Sequence, residues 1–431
     1  MTLLLIYLLP LLVVLWIYLR RRRGREREHV RRLNEALQAG LVEPPSLHPA
    51  IDPMRCCGSA SCVRACPEGA LGIIGGKAQL INAAACIGHG ACHASCPVGA
   101  ITLVFGTARR GMDIPTVKPN FETNVPGLFI AGELGGMGLI RKAAEQGRQA
   151  IAAIQERARR IREDAIDVVI VGAGPAGLAA GLGAMERGMG YVLLEQEDGL
   201  GGTIYHYPRN KIAMTAPMTL PIVGKVRFSE VSKEALLGFW QSIVDRTRLE
   251  VSFCERMESL TRAGPVFVVK TSRSSYRAKA VLLAIGRRGT PRKLGVPGEE
   301  LPKVVYRLVD PEQYAGRKVL VVGGGDSALE AALAVAAQPG AAVTLSYRGE
   351  AFSRVKAKNR ERLEQARDAG QVRVILQSNV REIRPDAVRI ERLGSEDPLP
   401  NDAVIVSAGG VLPSDFLRSI GVEVQTKYGT A

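Results

Sequence analysis

Seven of the eight cysteines lie between residues 56 and 96, and their spacing is repeated. The first motif reads PMRCCGSASCVRACP over residues 53–67, and the second reads CIGHGACHASCP over residues 86–97. Three cysteines of the first motif recur 30 residues later in the second: Cys56, Cys62 and Cys66 correspond to Cys86, Cys92 and Cys96. Crowded cysteines of this kind indicate metal ligation, because a disulfide scaffold spreads its cysteines along the chain.

A glycine-rich turn between two strands predicts a dinucleotide site. Residues 167–195 read DVVIVGAGPAGLAAGLGAMERGMGYVLLE, and the second strand ends at Glu195. The glycines of the turn are Gly172, Gly174 and Gly177. Glycines at this spacing let a pyrophosphate approach the N-terminus of the following helix. An acid about 20 residues further on holds a ribose hydroxyl, which is the role we expect for Glu195.

A second turn of the same kind lies in KVLVVGGGDSALEAA, residues 318–332. The spacing is met there by Gly323, Gly325 and Ala328. The next strand ends near Ser346 without a carboxylate, and Arg348 and Arg354 follow it. An acid at this place would hold the 2′-hydroxyl of NAD, whereas an arginine accommodates the 2′-phosphate of NADP. We therefore expect NADP(H) in preference to NAD(H).

Residues 47–105 resemble the bacterial two-cluster ferredoxin, whose motif is C-x2-C-x2-C-x3-C-P. In that family the fourth cysteine of each motif ligates the other cluster. The resemblance implies two iron–sulfur clusters, one on Cys56, Cys62 and Cys96 and the other on Cys86, Cys92 and Cys66. It also implies a small α+β dicluster domain over residues 47–106. The alternative, a structural zinc site, is disfavoured by the repeat and by the Cys-Pro endings.

Both motifs lack the second ligand of the ferredoxin pattern, with Ser59 in the first motif and His89 in the second. Three thiolates per site leave three outcomes open. Each site could hold a 3Fe-4S cluster, a 4Fe-4S cluster with an exchangeable corner, or a 4Fe-4S cluster with an oxygen or nitrogen ligand. His89 is a candidate nitrogen ligand, and Cys57 is a candidate replacement for the missing cysteine.

The two glycine-rich turns indicate two dinucleotide-binding folds in tandem, the second inserted in the first. This arrangement resembles that of the thioredoxin-reductase-like flavoproteins. HYPR (206–209) and SYRGEAFSR (346–354) are most similar to the bacillithiol-disulfide-reductase-like branch. The resemblance implies two Rossmann-like dinucleotide-binding domains. FAD would bind at residues 167–290, with Gly202 near the flavin, and NAD(P) at residues 291–404. Residues 405–431 would return to the FAD domain.

That family closes its FAD domain at the C-terminus with T-x-V-P-G-L-F-x-A-G-D. Here the corresponding segment lies upstream, in FETNVPGLFIAGELGGMGLIRKAAEQGRQAI over residues 121–151. The resemblance therefore predicts a circularly permuted FAD domain, with Gly132 and Glu133 at the flavin. Residues 107–155 would form its closing segment, and residues 156–166 a charged linker.

Residues 3–19 carry no charge, and eight basic residues follow between Arg20 and Arg32. Because about 20 apolar residues cross a bilayer core, we predict a transmembrane anchor over residues 1–19. Residues 20–46 would be a basic segment against membrane lipid. The positive-inside rule places the catalytic part in the cytoplasm, at the cytoplasmic membrane. The rest of the net charge of +15 is dispersed, so we expect no binding to nucleic acid.

With 46% hydrophobic residues the chain is not intrinsically disordered, and its 431 residues allow two to four domains. The predicted fold is α/β, with the ferredoxin-type domain and one N-terminal transmembrane helix added. Since the chain has no Cys-x-x-Cys and Cys254 is predicted to be buried, dithiol exchange is not expected.

We predict a membrane-anchored NAD(P)H-dependent oxidoreductase that passes electrons between NADPH, FAD and the clusters to an unidentified acceptor or donor. The alternatives are a redox-sensing or electron-transfer module without its own substrate, and a disulfide reductase with structural clusters. The sequence leaves open whether the chain is a homodimer.

Overall fold

The computed structural model describes residues 2–38, 43–44, 47–86, 88, 90–108, 111–136, 138–209, 211–215, 217–228, 230–287, 289–352, 355 and 357–429. The chain divides into two compact units. The first contains residues 1–110, 349–361 and 428–431, and the second contains residues 111–348 and 362–427.

The first unit combines a long helix with short strands and very short helices. Its elements before residue 110 are α1 (Thr2–Gln38), β1 (His48–Ile51), α2 (Ser61–Ala65), β2 (Leu71–Ile74), β3 (Lys77–Leu80), α3 (Ala91–Ala94) and β4 (Ile101–Val104). β1 pairs antiparallel with β4, and β2 pairs antiparallel with β3. The cysteine motifs lie beside these two strand pairs. Their cysteines share a small core with Leu71 and Ile101.

The C-terminal half of α1 packs on the β2–β3 hairpin. Nδ1 of His29 accepts a hydrogen bond from the Ile73 N–H at 3.0 Å, and Glu26 accepts one from the Gly75 N–H at 2.7 Å. Further along the helix, Ala36 is buried against Ala84. These contacts fix the direction of α1 relative to the cysteine motifs.

The predicted transmembrane anchor is wrong. Among the residues described, no helix is long and apolar enough to span a bilayer. α1 is one continuous helix, and the uncharged residues 3–19 precede four consecutive arginines, Arg20–Arg23. At 1.5 Å per residue, such a run rises only about 25 Å, less than the hydrocarbon core of ~30 Å. The predicted location at the cytoplasmic membrane is therefore wrong as well.

The first half of the second unit is built on a parallel sheet. Its elements are β5 (Met112–Pro115), β6 (Leu128–Ile130), α4 (Ile140–Ala158), β7 (Val168–Val171), α5 (Pro175–Glu186), β8 (Tyr191–Leu194), β9 (Ile212–Met214), β10 (Met218–Leu220), β11 (Gly224–Val226), β12 (Glu230–Ser232), α6 (Lys233–Thr247), β13 (Met257–Ala263), β14 (Val266–Thr271), β15 (Ser275–Ala278) and β16 (Val281–Leu283). The sheet has the order β6-β16-β7-β8, and all its pairings are parallel. Every residue of β7 is buried, as is typical of a strand covered on both faces.

The second half of this unit carries a five-stranded parallel sheet. Its elements are β17 (Thr290–Pro291), β18 (Val304–Val305), β19 (Lys318–Val322), α7 (Asp326–Ala336), β20 (Ala342–Tyr347), α8 (Ala357–Asp368), β21 (Val372–Leu376), β22 (Ser378–Ile383), β23 (Ala387–Arg392), β24 (Ser395–Pro400), β25 (Ala403–Val406), β26 (Gly410–Val411), α9 (Ser414–Ser419) and β27 (Val424–Lys427). The order of the parallel sheet is β18-β25-β19-β20-β21, and β22, β23 and β24 form an antiparallel sheet.

Residues upstream of β7 complete the first parallel sheet. β6 pairs with β16, in the register Leu128 to Val281. α4 packs so closely on α5 that a Cβ at Gly147 would lie 2.0 Å from the Ala176 carbonyl oxygen. β5 pairs antiparallel with β27 near the C-terminus. The α/β fold with a ferredoxin-type part is therefore confirmed.

Candidate redox centres

The first unit contains a cavity lined by four cysteines, which we call the first cavity. Its cysteines are Cys56, Cys57, Cys62 and Cys96. Cys62 is supplied by α2, and Cys96 follows α3, so the two motifs contribute to the same cavity. The structure thus brings together the three cysteines predicted for one cluster and adds Cys57.

The second cavity is lined by three cysteines: Cys66, Cys86 and Cys92. These are the thiols predicted for the other cluster. His48 and Glu68 also line this cavity, and sequence reasoning missed both. Glu68 directly follows the Cys-Pro of the first motif, and that proximity was the available signal. His89, the predicted nitrogen ligand, lies outside the described residues.

The backbone reproduces the 30-residue repeat of the sequence. Left-handed φ angles occur at pairs of positions 30 residues apart, namely Gly58 and Gly88, Ala60 and Gly90, and Gly69 and Gly99. Ala60 and Gly90 directly precede α2 and α3. Over the described residues, the two motifs therefore share these left-handed turns.

Backbone N–H groups point at some of the sulfur atoms. The Ala100 N–H donates to Sγ of Cys96 at 3.2 Å, and the Ala78 N–H donates to Sγ of Cys56 at 3.4 Å. At Cys96 burial raises the pKa, but the N–H groups of Ala100, Val98 and Gly99 outweigh it, and the pKa lies below its ordinary value. Such donors stabilise thiolate sulfur and tune iron–sulfur centres.

Burial acts in the opposite direction on three other thiols. It is the largest influence on the pKa of Cys62, Cys86 and Cys92, and each pKa lies above its ordinary value. A bound cationic centre deprotonates a coordinating thiol, so a bound cluster would oppose the effect of burial at these three groups. The thiols that line each cavity fit iron–sulfur clusters in donor chemistry. Within the described ranges, no three His, Cys, Asp or Glu side chains lie close enough together to hold a single metal ion.

The first glycine-rich turn connects β7 to α5. A Cβ at Gly177 would lie 1.8 Å from the Gly172 carbonyl oxygen, so only glycine fits where the turn meets the helix. Gly174 is the N-cap of α5, and no side chain occupies its capping position. The N–H groups of the first helical turn thus remain available to an anion. The turn fits the pyrophosphate of a dinucleotide.

Glu195 follows β8 and faces the same turn. Its carboxylate is buried and accepts hydrogen bonds from the Ala173 N–H at 2.8 Å and the Glu197 N–H at 3.1 Å. Burial raises its pKa above the ordinary value, although these N–H groups oppose the shift. Each carboxylate oxygen accepts more than one hydrogen bond, so Glu195 keeps capacity for a ribose hydroxyl.

Other predicted FAD residues lie beside this turn. Gly202 begins a short 3₁₀ helix, and the preceding Gly201 donates to the Ala173 carbonyl at 3.0 Å. Gly132 follows β6, and its N–H donates to Gln146 of α4 at 2.8 Å. Glu133 begins the next 3₁₀ turn. A Cβ at Gly132 would lie 3.1 Å from Cβ of Ala176, so the upstream segment reaches the start of α5.

The second glycine-rich turn connects β19 to α7. The Gly323 N–H donates to the Ser346 carbonyl of β20 at 3.0 Å, and Gly325 is the N-cap of α7. A Cβ at Gly323 would lie 3.0 Å from Cβ of Ala328, which explains why the third position is small. This geometry fits a second dinucleotide.

The end of β20 has no exposed acid. Ser346 is fully buried, and its hydroxyl lies 2.8 Å from the hydroxyl of Ser378. Arg348 is exposed directly after the strand, where a 2′-phosphate would be accessible to it. Arg354 lies outside the described residues, so its predicted role stays a prediction.

The prediction that Cys254 is buried is wrong. Cys254 is exposed, because the chain turns there with φ 54° and its N–H donates to the Glu197 carbonyl at 3.0 Å. The side chain of Cys254 therefore lies at the surface and outside the core.

Comparison with known proteins defines the class. Residues 169–430 match the family model described as pyridine nucleotide-disulphide oxidoreductase, and the chain belongs to this family. The protein is an oxidoreductase, and the family implies FAD and NADP(H). Residues 48–97 match a 4Fe-4S dicluster domain, which implies iron–sulfur clusters. The predicted enzyme class and the ferredoxin-type domain are confirmed.

Individual relatives match about three fifths of the chain. The chain is 32% identical over 271 residues to the ferredoxin–NADP reductase of Ignicoccus hospitalis, covering 61% of this chain and 83% of the relative. It is 30% identical over 269 residues to the bacilliredoxin reductase Bdr of Bacillus subtilis, covering 61% and 82%. The solved bacillithiol disulfide reductase Bdr of Bacillus cereus has a TM-score of 0.54 and 27% identity, covering 59% of this chain and 81% of that chain.

Proposed function

We propose that the protein oxidises NADPH and passes single electrons through two iron–sulfur clusters to a partner. The observation that carries the proposal is the pair of thiol-lined cavities, in the same chain as two dinucleotide-binding turns. When bound, FAD accepts a hydride and the clusters carry single electrons, so together they convert one two-electron transfer into two one-electron transfers. The likeness to ferredoxin–NADP reductases supports this reading, since a ferredoxin-type domain is here part of the chain.

The chain's own residues would hold these groups in place. The N-terminus of α5, beginning after Gly174, would bind the FAD pyrophosphate, and Glu195 would hold the ribose. Gly132 and Glu133 would lie along the flavin side of the same turn. Gly323 and Gly325 would admit the pyrophosphate of NADPH, with the Arg348 guanidinium on its 2′-phosphate.

The FAD-binding part is, in this proposal, circularly permuted relative to its family. The family match begins at residue 169, after α4, yet β6 pairs with β16 and α4 packs on α5. Leu128 and Ile130 of β6 share a buried core with Leu417 and Val422 from the C-terminal segment. Permutation is tolerated where the original termini lie close together, and only residues 159–167 separate the end of α4 from the start of β7.

Anaerobic rapid mixing of the purified full chain with NADPH tests the function. We expect flavin bleaching followed by bleaching of cluster absorbance, with reduction of a one-electron dye. In the Cys62→Ala/Cys92→Ala variant, FAD should still be reduced by NADPH, but dye reduction through the clusters should be lost. Clusters that stay oxidised in the wild type while FAD is fully reduced would refute the proposal.

The same variant distinguishes the disulfide-reductase alternative, which the likeness to Bdr favours. We expect no NADPH-dependent reduction of bacillithiol disulfide by the wild type. Reduction of that disulfide by wild type and variant alike would show that the clusters are structural.

A further inference from the structure

The two cavities differ in the donors they offer. The first cavity has four cysteines in its wall, whereas the second has three cysteines together with His48 and Glu68. The additional thiol is Cys57, whose counterpart 30 residues later in the sequence is Ile87. The described parts of the two motifs share their left-handed turns, so the inequality in thiol number between the two cavities comes from this side chain.

The loop that carries Cys57 is held against the β2–β3 hairpin. A Cβ at Gly58 would lie 2.1 Å from the Gly76 carbonyl oxygen, so the loop and the hairpin turn are in direct backbone contact. Lys77 donates to the Cys56 carbonyl at 2.7 Å, and the Ala78 N–H donates to Sγ of Cys56 at 3.4 Å. Cys57 is exposed and lines the cavity, on a loop whose residues on either side, Cys56 and Gly58, contact the hairpin.

Ser59 also lines the first cavity, but its chemistry is less suitable. Its hydroxyl lies 3.5 Å from the Ser61 N–H, from which it accepts a hydrogen bond. Iron–sulfur clusters are held by soft thiolate ligands, and a serine hydroxyl is far harder to deprotonate than a thiol. Of the two side chains, Cys57 is the better fourth ligand.

We propose that Cys57 is the fourth ligand of the cluster in the first cavity, while the second cavity supplies three cysteine ligands. This inference rests on the presence of clusters, which is part of the proposed function. A cluster with four thiolates carries more negative charge than one with three and a neutral ligand, and net charge lowers the reduction potential. The cluster in the first cavity is thus the more strongly reducing and the more stable to air.

Iron content and electron paramagnetic resonance of the anaerobically purified full chain test this assignment. After air exposure the wild type should give the signal of at most one three-iron cluster per chain, arising from the second site. Cys57→Ala should give twice that signal, or lose the iron of one cluster, with its FAD content unchanged. Ser59→Ala is the matched control and should behave as the wild type.

Rescue separates ligation from folding. In Cys57→Ala/Ser59→Cys the thiol returns at the ferredoxin position, so the wild-type iron content and signal should be restored. The assignment is overturned if Cys57→Ala retains wild-type iron and signal, if Ser59→Ala causes the loss, or if the wild type binds no iron. Since these readouts need no NADPH, failure of electron transfer from FAD would refute the proposed function and leave the Cys57 result standing.

Discussion

Gly147→Ala tests whether the segment before β7 is part of the FAD-binding core. On an open helix surface this change stabilises, because alanine favours a helix by about 0.8–1.0 kcal/mol over glycine. At Gly147 the new Cβ would lie 2.0 Å from the Ala176 carbonyl oxygen and 2.8 Å from its carbon. These are backbone atoms, so α4 and α5 would have to separate. Overpacking of this kind costs about 1–3 kcal/mol.

The same displacement moves the first turn of α5, which contains Ala176 and is proposed to hold the FAD pyrophosphate. We therefore expect a lower unfolding temperature and a lower ratio of FAD to protein, measured by thermal unfolding and absorbance. Gly238→Ala is the control, because Gly238 lies in α6 and a Cβ there would meet nothing within 4 Å. If Gly147→Ala proves as stable as Gly238→Ala and keeps its FAD, the close packing of α4 on α5 is refuted.

Three further predictions concern other parts of the chain. Arg348→Ala should raise KM for NADPH about ten- to hundredfold, because a charge-assisted hydrogen bond contributes roughly 1.5–3 kcal/mol, and should spare NADH; equal losses would contradict the role. Asp113 accepts hydrogen bonds from Thr426 at 2.7 Å and Ser414 at 3.1 Å, which hold its pKa below the ordinary value. Its stabilisation is present above the unfolded pKa of about 3.9 and is lost as pH falls through the lower folded pKa. Asp113→Asn should therefore reduce stability by about 1–2 kcal/mol at neutral pH, and the difference should shrink in denaturant titrations as the pH falls below about 3.9. Cys62→Ala and Cys92→Ala should each halve the iron-to-FAD ratio without loss of FAD, and unchanged iron would exclude these ligands.

The cysteine sets and both glycine-rich turns could be predicted because their chemistry depends on short spacings. Cys66 and Cys96 could be placed in opposite sites from the ferredoxin resemblance, and the cavities contain those sets. The position of Glu68 after the Cys-Pro was a signal in the sequence, whereas His48 could not be foreseen, because it reaches the second cavity through the pairing of β1 with β4. Such contacts depend on tertiary structure.

The N-terminal prediction failed for a different reason. Hydropathy indicated a separate anchor and a separate basic segment, but one helix runs through both, across Pro10 and Gly24. α1 therefore continues to Gln38, and its second half is held by the hairpin through His29 and Glu26. The exposure of Cys254 could not be predicted either, because it depends on a left-handed backbone conformation at this one residue.

The pairing of β6 with β16 has a consequence for how the protein is made. β6 leaves the ribosome about 150 residues before its partner β16. At 5–20 residues per second, the two strands are synthesised about 8–30 s apart. β5 waits longer, since Asp113 and Thr426 are 313 residues apart, and closing such a loop costs about 5 kcal/mol of chain entropy. The cysteine motifs, by contrast, lie between β1 and β4, which pair with each other within residues 48–104. The nascent chain can thus form its cluster sites, and receive iron and sulfide, before any FAD site exists.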